Sequence, residues 1–74
     1  MILNIENPND SSQPIFAVVV DANGMPVIPN ALEGEVLPGS QSEYIDIANL
    51  SPGLYYLKTK VGRQTVTLKF VVAE

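Results

Sequence analysis

The chain has 74 residues, a mass of 8.0 kDa, a net charge of −4 and a pI near 4.5. That length leaves interior for one domain only, since a chain below about 100 residues buries roughly 60% of its unfolded surface and cannot support two cores. Cysteine and histidine are both absent, which excludes a disulfide framework, thiolate metal sites and the usual proton shuttle at neutral pH; no cofactor is called for, and the acidic balance argues against nucleic acid as a partner.

In chain order, "MILNIE" alternates at once and places Leu3 and Ile5 on one face, so Met1 reads as an initiator set before an excised domain. "NPNDSSQP" is a loop, and Ile15 to Asp21 is a strand apolar on both faces. Its second face, Phe16, Val18 and Val20, belongs either to a buried central strand or to a partner interface. Asn23-Gly24 suits a type I′ hairpin turn, after which "MPVI" returns as a short edge strand, because Pro26 lacks an N–H. Pro29 to Ser42 is the least regular stretch, with a strand from Leu32 to Leu37. "EYIDIANL" predicts a half-buried strand with Ile45 and Ile47 pointing one way, Tyr44 and Asp46 the other. No run approaches the roughly 20 apolar residues of a membrane helix, and no helical periodicity is sustained.

The end of the chain can be derived in register. Gly62-Arg63 fits a two-residue type II′ loop with glycine first. Val61 then pairs with Gln64, Thr59 with Val66, Leu57 with Leu68 and Tyr55 with Phe70, all on one mostly apolar face. The other face pairs Lys60 with Thr65, Lys58 with Thr67 and Tyr56 with Lys69. Charge is segregated along the chain: residues 1–57 carry seven acids and no base, residues 58–74 four bases and one acid. The lysines either solvate an outer face and protect an edge, or dock on something acidic.

The candidate sites elsewhere have bland explanations. Asp21-Ala22-Asn23-Gly24 begins like a calcium loop but lacks the later ligands, and reads as a turn. Glu33 and Glu35 share a strand face as a solvated pair without a cleft. The serines have no histidine partner, so an enzyme is not expected. Leu50-Ser51-Pro52-Gly53-Leu54-Tyr55 is more specific, because this turn into an aromatic-led strand is similar to the corner before the penultimate strand of immunoglobulin-like and fibronectin type III sandwiches. Tyr55 and Phe70 are read as core.

Taken in order, Asp21 to Gly24, the isoleucine-rich Tyr44 to Leu50, Gly53 to Tyr55 and the terminal Lys69 to Val72 make the chain resemble, over nearly its whole length, the type A C-terminal sorting domain of Bacteroidetes proteins exported by the type IX secretion system. The family's Pro-Asn-Pro box and a cleavage linker are not in this sequence. The resemblance implies a secretion signal in place of an enzyme: a fused N-terminal cargo, recognition in the periplasm, passage through the outer-membrane translocon, and cutting by a sortase, leaving the cargo at the surface or secreted. It further implies that recognition residues lie in the final strands, here Gly53, Tyr55, Tyr56, Lys58, Lys60, Gly62, Arg63, Lys69, Phe70, Val71 and Val72.

The expected fold is therefore a small antiparallel immunoglobulin-like β-sandwich of six or seven strands. Its expected core is Leu3, Ile5, Ala17, Val19, Ile45, Ile47, Leu50, Tyr55, Leu57, Val66, Leu68 and Phe70. Weak self-association through the longer terminal edge is expected. The alternative function is a fibronectin-like or carbohydrate-binding accessory module, for which only Tyr44 and Tyr56 are available as exposed aromatics.

Overall fold

The computed structural model describes residues 1–73. Six strands follow one another: β1 (Ile2–Asn7), β2 (Gln13–Asp21), β3 (Pro26–Val36), β4 (Gly39–Tyr44), β5 (Gly53–Val61) and β6 (Gln64–Val72). They form two antiparallel sheets, β1-β4 and β3-β2-β5-β6. The two sheets pack as a β-sandwich, drawn out to 40 × 20 × 16 Å.

The inward residues follow the two-residue period of the strands. Ile15, Ala17 and Val19 of β2 lie beside Val61, Thr59 and Leu57 of β5. Against them β1 packs Leu3 and Ile5, in two connected clusters centred on Leu57 with Ile45 and on Ile15 with Val36. Ile15, Val20 and Val36 are buried beyond the predicted core. Ile15 belongs to the same face as Ala17 and Val19, and Val36 closes β3 opposite Gln13.

The terminal hairpin has the predicted register throughout, from Gly53↔Val72 to Val61↔Gln64. Gly62 has φ 58°, and among the described residues none other than glycine has positive φ. That combination fits type II′, in which only the first central residue needs positive φ.

Four local expectations are corrected. The turn after β2 is not type I′, because Asn23 does not adopt positive φ. Gly24 N donates to Asp21 O at 3.0 Å and Asp21 N to Met25 O at 2.9 Å, which describes a three-residue loop with glycine, at φ 85°, in the left-handed position. Second, the short "MPVI" strand and the Leu32 to Leu37 strand are one 11-residue strand, β3. It stays joined because its irregular middle is absorbed as bulges, with register shifts between Ala17 and Val19 and between Val19 and Val20.

Third, the strand expected at Tyr44 to Leu50 lies earlier, at Gly39–Tyr44. Ile45 is buried beyond its end, where Ile45 N donates to Met1 O at 2.7 Å. The chain then turns, with Ala48 N on Asp46 Oδ1 and Leu50 N on Ile47 O. The isoleucines fill the core from an irregular segment, so their alternation mimicked a strand. Fourth, Val66 and Leu68 are not core but 57% and 45% exposed. The two-stranded sheet covers the inner face only as far as β5, where Tyr55, Leu57 and Thr59 are buried, and stops short of β6, in which no residue is buried.

Candidate docking face

The outer face of the four-stranded sheet is built by register. One row runs Glu33, Phe16, Lys60, Thr65 across β3, β2, β5 and β6; the next rows bring Val18, Lys58, Thr67 and then Val20, Tyr56, Lys69 together. Neighbouring strands stand about 4.8 Å apart. The charge asymmetry of the sequence thus becomes lateral. Glu33 and Glu35 lie on the β3 side, an apolar row lies on β2, and Lys58, Lys60 and Lys69 stand exposed on β5 and β6. Phe16 is 42% exposed beside Lys60, while Val18 is half-buried and Val20 buried. The apolar second face of β2 is therefore that of a central strand, still open at its Phe16 end.

The recognition residues implied by the resemblance do not all share this face. Tyr56, Lys58, Lys60, Lys69 and Val71 point outward, and Val71 is 70% exposed. Gly62 and Arg63 form the hairpin tip, braced by Gly62 N donating to Pro14 O at 2.9 Å. Tyr55, Phe70 and Val72 share the inward face; Tyr55 is buried and the other two half-buried. Tyr55 stacks on Phe70 with ring centroids 5.8 Å apart, and its hydroxyl donates to Ser51 O at 2.6 Å. A tyrosine whose hydroxyl returns to the backbone a few residues upstream is the corner device of immunoglobulin-like sandwiches. Gly53 opens β5 opposite Val72. The outward set is available for contact; the inward set shapes the strands that present it.

This face offers charge and apolar contact. Glu33 and Glu35 are exposed on an open sheet. Asp21 is engaged by its own turn, its Oδ1 accepting from Asn23 N and Met25 N at 2.9 Å each. Tyr44 lies opposite Ile2 on the two-stranded sheet and Tyr56 on the other sheet, so the two do not form a shared planar platform for a sugar.

Two features escaped the sequence reading. Asn7, 2% exposed, donates through Nδ2 to Val36 O and Ser11 O at 3.0 Å each, while its Oδ1 accepts from Asn9 N and Asn9 Nδ2 at 3.1 Å each, clipping the loop between β1 and β2 onto β3. Its inward place after Leu3 and Ile5 was the available signal. The neighbourhood of Phe16 and Lys60 depends on the pairing of β2 with β5, which no local turn specifies.

A family model described as "Secretion system C-terminal sorting domain" matches residues 1–73. No curated protein and no solved structure matches the chain.

Proposed function

The chain belongs to the secretion system C-terminal sorting domain family, the type IX sorting signals, and from that membership we propose that its outer β5-β6 face is the address the export machinery reads. As a sorting signal it serves an attached N-terminal cargo bound for the cell surface or for secretion. On this reading the domain is a passive address, presented to the translocon in the periplasm, and a sortase cuts upstream of it when the cargo is to be anchored.

The observation that supports this is the one-sided basic strip. Lys58, Lys60 and Lys69 are exposed on one face of a regular hairpin, with Arg63 at its tip. Complementary charge on a rigid surface steers encounter and fixes orientation. Thr65, Thr67 and Tyr56 add hydroxyl groups between the lysines.

The test is the combined reversal Lys58→Glu, Lys60→Glu and Lys69→Glu on a reporter fusion in a type IX-competent host. Exposed strand charges contribute about 0–1 kcal/mol to stability, so the variant should melt near wild type. We expect folded protein to accumulate inside the cell with surface delivery lost. Normal delivery of the folded variant would move recognition to the Gly53 to Tyr55 corner or to backbone edges.

A further inference from the structure

The uncovered side of the sandwich deepens this reading. Both sheets are open on the same flank: among the described residues β6 pairs only with β5, and β1 only with β4. Between them runs a groove of about 180 Å³ lined by Leu3, Ile5, Thr59, Val61, Val66 and Leu68. A two-residue loop makes Val61/Gln64 a hydrogen-bonded pair, and bonded pairs alternate along an antiparallel ladder. The N–H and C=O groups of Thr65, Thr67, Lys69 and Val71 therefore point away from β5, into the open flank.

The other edge of the same sheet is guarded. β3 carries Pro26, Pro29, two carboxylates and two register shifts, all devices that discourage strand addition. β6 has no proline, no glycine and an unbroken nine-residue register.

We propose that β6 accepts an added strand from another polypeptide, whose inward side chains are apolar and whose outward side chains are acidic. The inward chains fill the groove between Ile5 and Val66. The outward ones lie next to Thr65, Thr67 and Lys69, beside Lys58 and Lys60, a stretch of chain with no acid from Lys58 to Ala73. A second copy of β6 would bring its own Lys69 to the same face, and like charges on adjacent strands repel. Only the partner's acidity rests on the docking reading above; the accepting edge stands without it.

The experiment follows backbone amide signals and their hydrogen exchange in the 74-residue chain, titrated with a short blocked peptide of alternating Val and Glu or of alternating Val and Lys. The Glu peptide should protect the amides of Thr65, Thr67, Lys69 and Val71, and bind at least about tenfold more tightly than the Lys peptide. Thr67→Pro removes an edge N–H without touching the β5 ladder and should abolish that protection; Val66→Lys, at an exposed position, should do so by charging the groove. Reversing the three lysines should remove the preference for Glu and keep the edge protection, which separates failure of the strip from failure of the edge. Shifts confined to lysine side chains, or edge protection that rises with protein concentration and needs no peptide, would overturn the proposal, the latter in favour of a second copy.

Discussion

Tyr55 joins the corner to the core through one side chain. Its ring is buried against Phe70 and its hydroxyl holds Ser51 O. Tyr55→Ala should cost about 3–5 kcal/mol, the range for a large buried aromatic. Tyr55→Phe keeps the stack and loses one hydrogen bond, about 1 kcal/mol. Urea unfolding of both variants checks the ratio; equal losses would mean that the hydroxyl carries the effect and the ring little. Gly62 is constrained differently. At φ 58° a side chain is strained, whereas the Gln13 amide, 2.7 Å from where a Cβ would stand, can swing aside. Gly62→Val should therefore destabilise by about 1–2 kcal/mol or more, read as a lowered midpoint with an unchanged denaturant slope. An unchanged midpoint would show that the turn relaxes without cost.

At the scale of elements, each hairpin is legible where its turn chemistry and its alternation agree. Gly62-Arg63 specifies a register that the apolar face independently demands, and all its pairs are found. The β2–β3 connection was only half legible. Asn-Gly suggests a two-residue loop, but Asp21 captures two N–H groups and favours a longer one. Asp21→Ala should loosen this turn and cost about 1–2 kcal/mol, with faster amide exchange at Asn23 and Met25 as the local readout; exchange unchanged at both would show that the backbone bonds alone hold the loop. β4 was hidden because its inward positions are Gln41 and Glu43, where Gln41 Nε2 donates to Glu43 Oε1. A strand at the rim of a small sandwich does not need an apolar stripe. The exposure of Val66 and Leu68 was illegible for the complementary reason. Alternation shows which residues share a face, and only the width of the opposite sheet decides whether that face is covered. The outward part of the candidate docking face followed from the hairpin register, whereas its Phe16 border required the non-local pairing of β2 with β5.

The whole molecule is held together by pairings distant in sequence. Ile15 lies opposite Val61, and Met1 reaches Ile45 across 44 positions. Closing such loops precedes any gain from packing, so refolding should occur in about milliseconds to seconds, in the range of small all-β domains. Stopped-flow fluorescence of the tyrosines measures it, and microsecond refolding would contradict a nucleus that needs β2 against β5.

The place of β5 in this order has one more consequence. It is the fifth strand made and lies between β2 and β6 in the sheet, so a chain that stops before Gly53 leaves β2 without its inner neighbour and has none of Lys58, Lys60 and Lys69. If the outer β5-β6 face is the address proposed above, a type IX signal built this way doubles as a proof of completion. On that proposal, cargo whose synthesis stops before β5 lacks the label and is expected to stay behind.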